Sequence, residues 1–407
     1  MTISFSPEAL DLQAKAKEIA EQYVRPRAAE LDRKREYNHE AMKACGEAGL
    51  LSAWIPKEYG GSGVGVLALC LIVEELAKAD SGFGVAFAVN ALGSFPLLVG
   101  GTEEQKKKFL PRVAKGEALI SFCLSEKFAG SDAGGMKVRA IEEGEGYRLY
   151  GEKKWNTGGP VSDLYTVFAV TDPESKSRRI SAFMVEKGSE GLEIAKVEPS
   201  MGIRSVPVSE THFKGVYVPK ENLLGGRAGM GFKHAMMTLD LARPGVAAQA
   251  VGAAQGALDY AVAYACRRQQ FGQSISGFQM VQQLLADMAM QTEAARWLVY
   301  RAAALADAKD PAVNRIAAMC KCFATDTAMK VATDAVQIFG GYGFMEDYPV
   351  AKFFRDAKIL QIYEGTNQIQ RMVVARNLIK EAGNLKHLED YIPTEEQVDY
   401  LPETNHA

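Results

Sequence analysis

The sequence is poor in the residues that build metal sites, disulfide frameworks and nucleic-acid surfaces. Its 407 residues include six cysteines and five histidines, with no CxxC pair and no histidine spacing typical of zinc ligands. Lys and Arg number 47 against 50 Asp and Glu, so no basic excess indicates nucleic acid or an anionic membrane. No apolar run reaches the length that a bilayer span needs. We therefore expect no metal ion, no nucleic-acid partner and no membrane span.

What is present is an ordinary globular composition, with 47% apolar and 24% charged residues. It provides enough apolar surface for two or three domains, or for one large mixed domain. The first fifteen residues, with Glu8 and Asp11, indicate a capped helix start and not a secretory signal. We expect a bacterial cytoplasmic protein or a mature protein of an organellar matrix. Cys320 and Cys322 lie in an alanine-rich helical pattern and are expected to be buried free thiols.

Hydrophobic periodicity divides the chain into three blocks. From Pro7 to about Gly116 apolar residues recur at steps of three and four, which indicates helices. The next block has short β-rich runs between Gly, Pro, Asp and Glu, which predict an antiparallel sheet or small barrel; the runs cover residues 120–124, 164–170, 180–185, 192–197 and 212–218. Alanine-rich helical segments follow over residues 246–267, 278–309 and 313–339.

These blocks predict an α+β fold of three domains and a tail. The N-terminal α-helical domain covers residues 1–118, and a middle antiparallel β-barrel-like domain covers residues 119–230. A C-terminal four-helix-bundle domain covers residues 231–385. The charged tail, residues 386–407, is expected to be a frayed end or a segment that docks against a partner.

Three candidate segments offer groups that suit a phosphate or carbonyl ligand. Residues 123–135 combine Ser125 and Ser131 with glycines that let backbone N–H groups approach a ligand. Arg268, after Arg267, offers a guanidinium suited to phosphate, and residues 337–344 place three glycines where a helix ends. Each segment has a plain alternative. Residues 123–135 could be an ordinary turn, and Arg267 and Arg268 could be a solvated pair at a helix end. Residues 337–344 could simply end a helix, since they lack the preceding strand of a dinucleotide-binding fingerprint.

Two further segments offer an aromatic ring and an isolated carboxylate. Trp155 begins a Trp-Asn-Thr-Gly-Gly run and by itself would be a core aromatic. Glu364 follows apolar residues and precedes a helix, a setting typical of a general base with a raised pKa. Its plain alternative is an exposed loop glutamate. We expect Asn367, with Gln370, to cap the helix that follows.

Together the five segments resemble the acyl-CoA dehydrogenase family of flavoenzymes, over about residues 5–385. Both family signatures are present, residues 123–135 and 337–356, with Arg268, Phe271 and Gln279 between them. The resemblance implies FAD as cofactor and conversion of a fatty acyl-CoA to the trans-2-enoyl-CoA. It also implies an electron-transferring flavoprotein as acceptor and an obligate homo-oligomer, most often a tetramer.

Carried over by position, the resemblance makes Glu364 the base that takes the α proton. In the isovaleryl and long-chain branches the base lies in a helical Asp-Leu-Glu-Arg pattern, but here Ala242 stands at that position. The implied cofactor contacts are Leu124, Ser125, Ser131, Trp155, Thr157, Arg268, Phe271, Gln279, Gln337, Gly341, Thr366 and Gln368, those of the ADP half partly from a neighbouring subunit. The implied substrate contacts are Ser131, Asp240 and Arg243, although an i, i+3 ion pair on a helix surface is the plain alternative for the last two.

The acyl group and the acceptor stay open. The sequence departs from the usual family pattern at Asn156 and at residues 126–128, both expected near the cavity, which hints at a branched, cyclic or aryl-succinyl group instead of a plain fatty chain. Gly84 replaces the arginine of the glutaryl branch, although Lys127 could serve another dicarboxylic substrate. An acyl-CoA oxidase would share the same catalytic residues, and a catalytically silent CoA-binding scaffold would share the fold.

Overall fold

The chain folds into helices, then strands, then helices, as the periodicity predicts. The computed structural model describes residues 3–392. Ser6 begins the first helix, because its hydroxyl accepts a hydrogen bond from Ala9 N at 3.1 Å and so satisfies an open backbone donor. Six α-helices come first: α1 Pro7–Ile19, α2 Ala28–Lys34, α3 His39–Glu47, α4 Val66–Ala79, α5 Ser81–Gly100 and α6 Glu103–Ala114.

The middle of the chain forms one seven-stranded sheet. Its strands are β1 Ile120–Cys123, β2 Arg139–Glu143, β3 Gly146–Thr157, β4 Leu164–Val170, β5 Ile180–Glu186, β6 Leu192–Val197 and β7 Val208–Pro219. The hydrogen-bonded order is β1-β4-β2-β3-β7-β6, and β5 pairs with β4. All five predicted runs are strands, while β2 and β3 were missed. The sheet is mixed and not wholly antiparallel, because β1 and β2 pair with β4 in parallel.

Strand β4 is buried on both faces and joins the sheet to the helices. Leu164, Phe168 and Val170 pack into the large core that the helices share. The alternate residues Tyr165 and Val167 pack into a second core inside the curled sheet. Since side chains alternate across a strand, one short strand contributes to both cores.

Five helices and a small hairpin complete the described chain: α7 Gly231–Arg267, β8 Gln269–Gln270, β9 Gln273–Ser274, α8 Gln279–Asp307, α9 Val313–Phe339, α10 Pro349–Leu360 and α11 Asn367–Glu381. Helices α7, α8 and α9 pack against one another, and α10 and α11 both pack on α9. Cys320 and Cys322 on α9 are buried free thiols, as predicted. Of the predicted tail, residues 386–391 belong to a short 3₁₀ segment, and residues after 392 lie outside the described residues.

Helix α5 corrects one expectation from the sequence. Ser81–Gly100 is long and apolar enough to cross a membrane by length and composition, with a mean hydropathy of 1.7. However, 78% of that apolar window is buried within the fold, against α4 and α7 among others. A core helix passes the same length and composition test as a membrane span, and the packing identifies α5 as a core helix.

A buried ammonium group ties the three regions of the chain together. Lys352 on α10 donates to Asp80 Oδ1 and to Asp356 Oδ2, both at 2.5 Å. Asp80 also begins α5 by accepting from Gly82 N at 2.8 Å. Asp356 Oδ1 accepts from Ile203 N, in the loop between β6 and β7, at 2.6 Å. Both carboxylates are buried, so each depends on this one cation for charge compensation.

Replacing Lys352 by methionine should lower the free energy of unfolding by about 3–5 kcal/mol, since it leaves two buried carboxylates without their cation. Urea unfolding would measure the change. Lys358→Met is the matched control, because Lys358 lies on the exposed side of the same helix, where substitutions change stability by about 0.5 kcal/mol or less. Equal stabilities of the two variants would contradict the role given to Lys352.

Candidate active site

Glu364 stands at the turn between α10 and α11 in a strained backbone conformation. Its φ is 52°, and that of Gly365 is 91°, a region that a non-glycine residue rarely adopts. Gln370 Nε2 donates to the carbonyl oxygens of Glu364 at 3.2 Å and of Gly365 at 3.0 Å. Lys321 Nζ donates to the Gly365 carbonyl at 2.9 Å. A strained residue that its surroundings hold so firmly points to function.

The helix cap beside this turn differs from the prediction. Thr366 caps α11, because its hydroxyl accepts from Ile369 N at 3.3 Å. Asn367, which we expected to cap, is buried, and its side-chain amide donates to Thr325 Oγ1 at 2.9 Å and to Asp326 Oδ1 at 2.7 Å. The expected cap was wrong by one residue, because Asn367 binds α9 instead and fixes the turn to that helix.

The environment of Glu364 raises the pKa of its carboxyl group. Burial raises its pKa to about 7, and the cations Lys321 and Arg243 oppose that rise. The Oε2 atom is buried and has no hydrogen-bond partner within residues 3–392. A buried carboxylate oxygen without a partner is unusual, so the group is available to a ligand in the cavity beside it.

That cavity has a volume of about 200 Å³ and is mostly apolar. Val85, Val89 and Leu92 of α5 form one wall, and Met236, Leu239 and Val246 of α7 form another. Its polar lining comes mainly from residues that the sequence singled out: Ser125, Ser131, Trp155, Thr157, Arg243 and Glu364. Leu124 is also part of the lining. Seven of the predicted residues therefore surround one space.

Trp155 reaches this cavity through a bulge in strand β3. The pairing of β3 with β7 shifts between Lys153 and Asn156, and Trp155 has a φ of 60°. Bulges near functional sites redirect a side chain. The indole is 50% exposed, so the ring lies at the cavity and is not the core aromatic of the plain alternative.

A second buried lysine supports the loop on the other side of the cavity. Lys153 is fully buried and donates to the Leu124 carbonyl and to Glu126 Oε1, both at 2.8 Å. Burial lowers the pKa of Lys153 to about 8, against the raising effect of Glu126. Glu126 also accepts from the backbone N–H groups of Lys137 at 2.6 Å and Val138 at 3.0 Å. This ion pair fixes the loop that carries Leu124 and Ser125.

Asp240 and Arg243 form an internal pair and not a surface one. Arg243 is buried, and its Nη1 donates to Asp240 Oδ1 at 2.8 Å. Asn314 at the start of α9 donates to both Asp240 oxygens, at 3.0 and 2.9 Å. Arg243 lines the Glu364 cavity, while Asp240 lines a neighbouring cleft. Arg243 Nε has no hydrogen-bond partner within residues 3–392, so it can still donate to a ligand.

Lys154, the other cation of the cavity, is engaged by carboxylates. Its Nζ pairs with Glu198 at 2.9 Å and also with Glu210. Glu210, Glu152 and His212 bring their ligand atoms within 4.8 Å of one another. Hydrogen bonds from Lys154 and then His212 hold the pKa of Glu210 at about 2. We interpret the group as part of an ion-pair network, because Glu210 already pairs with Lys154 and His212.

The remaining predicted residues lie away from the cavity. Arg268 and Gly341 line a separate groove of about 510 Å³ at the far ends of α7 and α9, where the Arg268 guanidinium lies 5.5 Å from the Tyr342 ring centroid. Phe271 is 94% exposed. Exposed side chains also include Gln279, Gln337 and Gln368. One chain therefore does not bring Arg268, Phe271, Gln279, Gln337 and Gly341 into the lining of the Glu364 cavity.

The two departures from the family pattern lie outside the cavity lining. Lys127 and Phe128 border a different surface depression, and the Lys127 ammonium lies 5.4 Å from the Phe128 ring centroid. Asn156 is buried and donates to Thr211 Oγ1 at 2.9 Å. These residues are neighbours in sequence of the lining residues Ser125, Trp155 and Thr157, but they are not themselves part of the lining.

Three supporting residues were missed from the sequence: Lys153, Lys321 and Gln249. Gln249 on α7 accepts a hydrogen bond from the Tyr363 hydroxyl, next to Glu364, and donates to the Ser81 carbonyl at 2.7 Å. The one available signal was position, since Lys321 lies between two cysteines in an apolar helical pattern. A charged residue at such a position is buried only when it has partners.

Comparison with known protein families gives one consistent match. Three domain models of one family match in succession: the acyl-CoA dehydrogenase N-terminal domain over residues 6–117, the middle domain over 121–216 and the C-terminal domain over 229–379. The chain is 48% identical over 370 residues to a probable acyl-CoA dehydrogenase, FadE25, of Mycobacterium tuberculosis, covering 91% of this chain and 95% of that one. It is 42% identical over 368 residues to a cyclohexane-1-carbonyl-CoA dehydrogenase of Geobacter metallireducens, covering 90% and 96%.

Solved structures share the fold over nearly the whole chain. One is described as "Electron transferring flavoprotein of Acidaminococcus fermentans: Towards a mechanism of flavin-based electron bifurcation". It matches with a TM-score of 0.91 and 46% identity, covering 93% of this chain and 100% of that one. A butyryl-CoA dehydrogenase from Megasphaera elsdenii matches with a TM-score of 0.90 and 43% identity, with the same coverage.

Gly365→Ala should destabilise the protein by about 1–3 kcal/mol, because alanine is strained at a φ of 91°. Its Cβ would also lie 2.5 Å from Gln370 Nε2 and would displace the amide that holds the turn. Urea unfolding would measure the loss. Gly383→Ala is the control, since a Cβ there meets nothing within 4 Å. Unchanged stability of Gly365→Ala would contradict the strain assigned to this turn.

Proposed function

Since this chain belongs to the acyl-CoA dehydrogenase family of FAD-dependent oxidoreductases, we propose that it dehydrogenates a short, uncharged acyl-CoA thioester at Cα and Cβ. Glu364 is the base that takes the α proton. The observation that carries this assignment is the buried, unpartnered Oε2 atom of Glu364 at the wall of an apolar cavity. Ala242, at the position of the helical base in other branches, has no group that could accept a proton.

The pKa of Glu364 suits a general base. An α C–H bond is a weak acid, and a base transfers such a proton best when its pKa lies near the working pH. Burial brings the pKa of Glu364 to about 7, well above that of an exposed glutamate. Arg243, whose Nε is free to donate, is placed to position the thioester end of the substrate.

The residues around the cavity fit the isoalloxazine ring of FAD. Trp155 presents a half-exposed indole from a strained bulge, and a flat aromatic ligand would cover it. Leu124, Ser125 and Thr157 would hold the ring from the neighbouring loop and strand. When bound, FAD would supply the acceptor for the hydride that leaves the β carbon. The chain's own residues place the substrate and keep water away from it.

The cavity supports an uncharged acyl group. Both of its cations are engaged, Arg243 by Asp240 and Lys154 by Glu198 and Glu210. An aryl-succinyl or other dicarboxylic group would find no free cation among the described lining residues. The relatives named for butyryl-CoA and cyclohexane-1-carbonyl-CoA support a short straight or cyclic acyl group.

The acceptor and the assembly complete the proposal. Similarity to the structure described as the electron transferring flavoprotein of Acidaminococcus fermentans supports such a flavoprotein as the acceptor. Arg268, Phe271, Gln279, Gln337 and Gly341 lie outside the Glu364 cavity of their own chain. This arrangement supports an oligomer, expected to be a tetramer, in which they meet the ADP half of FAD held by a neighbouring subunit.

An anaerobic titration of the purified holoenzyme tests the reaction and the substrate together. The panel contains straight-chain, branched, cyclic and dicarboxylic acyl-CoA thioesters. We expect the oxidised-flavin absorbance to bleach with short uncharged members and not with dicarboxylic ones. Bleaching by a dicarboxylic thioester alone would overturn the substrate assignment. A protein that cannot bind FAD would support the silent scaffold, and rapid reoxidation by air would support the oxidase.

Glu364→Gln should retain FAD and bind acyl-CoA, yet lose at least about 1,000-fold in turnover, because an amide cannot accept the α proton. Flavin absorbance and steady-state rates on the bleaching substrate would measure both properties. Glu190→Gln, on an exposed turn, is the control and should behave like the unmodified protein. Turnover within tenfold of the unmodified protein would refute Glu364 as the base.

A further inference from the structure

Lys321 is a lysine that the fold buries completely near the middle of α9. A buried ammonium is costly unless hydrogen bonds or a counter-ion compensate its charge. Its Nζ donates to the Gly365 carbonyl at 2.9 Å and to Asn367 Oδ1 at 3.0 Å. Among the ion pairs of residues 3–392 it has none, so both of these partners are neutral oxygens.

Both partners of Lys321 belong to the turn that carries Glu364. Gly365 directly follows the base, and Asn367 begins α11. Asn367 is itself fixed to α9, because Thr325 Oγ1 donates to its Oδ1 at 3.1 Å and its Nδ2 donates to Asp326. The ammonium therefore lies at the centre of a short network that ends one peptide unit from the base.

We propose that Lys321 is a positioning residue for Glu364: its hydrogen bonds fix the strained turn, and its unpaired charge acts on the carboxylate of the base. This inference rests on the proposed function. Among the described residues, Glu364 has no ion-pair partner and Lys321 has none either. The two groups complement each other through space without touching.

Charged and titratable groups from several helices surround Glu364 and Lys321. Glu364 is faced by Lys321 from α9, Arg243 from α7 and Tyr363 from its own turn. Lys321 is faced in addition by Cys322 and Asp326 of α9. Asp356 of α10 faces Tyr363. Of the two cations near Glu364, Arg243 is bound to Asp240, whereas the charge of Lys321 is not neutralised by a direct partner.

The direction of the pH effect follows from the charges. A cation near a carboxylate favours its ionised form and lowers its pKa. Burial raises the pKa of Glu364 to about 7 even with Lys321 in place. Removing the charge of Lys321 would raise it further, so the base would be protonated, and inactive, up to a higher pH.

The test compares Lys321→Met, Lys321→Gln and Lys321→Arg holoenzymes with Lys330→Met as the matched control. Lys330 lies on the same helix and pairs with Asp334 at the surface. The measurement is the pH profile of kcat/KM with the thioester that bleaches the flavin. A second readout is exchange of the α hydrogens of acetyl-CoA in D₂O, since acetyl-CoA has no β hydrogen and reports the base alone.

We expect the acidic limb to move up by roughly one pH unit in the Met and Gln variants, which is a tenfold loss of kcat/KM on that limb. The exchange rate should shift in the same direction. The Arg and Lys330→Met variants should keep the limb of the unmodified protein. Gln retains a donor for the Gly365 carbonyl, so it separates loss of charge from loss of the hydrogen bond if the Met variant does not fold.

An unmoved acidic limb in FAD-loaded Met or Gln variants would overturn the role of Lys321, because a purely structural residue changes stability or FAD content and not the pH profile. This failure differs from failure of the proposed function. In that case the unmodified holoenzyme itself would neither be bleached by any thioester nor exchange α hydrogens, and the role of Lys321 would fall with it.

Discussion

The arrangement of the three regions depends on the buried ammonium of Lys352. It compensates Asp80, which begins the core helix α5, and Asp356, which holds the loop between β6 and β7. Helix α5 supplies one wall of the cavity, and α10 leads directly into the turn of Glu364. Since breaking a buried ion pair is strongly destabilising, this contact holds the helix that forms the wall to the helix that leads to the base.

Two further buried lysines act on a smaller scale and in the same way. Lys153 holds the Leu124 carbonyl beneath the loop on one side of the cavity. Lys321 holds the Gly365 carbonyl beneath the turn on the other side. Each lysine acts close to a residue with a positive φ. Trp155 lies two residues after Lys153, and Glu364 directly precedes Gly365. Hydrogen bonds from a buried cation are stronger than those between neutral groups, which suits them to hold such turns in place.

The sequence predicted those helices and strands whose apolar residues form a clear pattern within a short stretch of the chain. Strands β4 and β5 are mostly apolar and were found. Strands β2 and β3 carry several charged residues and were missed, because only alternate residues such as Tyr147 and Leu149 face the inner core. Glu364 and Trp155 could be named because their motifs are contiguous. Lys153 and Lys321 could not, since a lysine is normally exposed and their burial depends on partners distant in sequence.

The composition of α5 has a consequence for the order in which the chain folds. This helix is as apolar as a membrane segment, and its cover comes partly from α4, which precedes it, and partly from α7, which begins only at Gly231. During synthesis the whole sheet must leave the ribosome before that cover exists. The N-terminal helices therefore cannot cover α5 completely by themselves, and until α7 packs on it the nascent chain exposes apolar surface of the kind that chaperones bind.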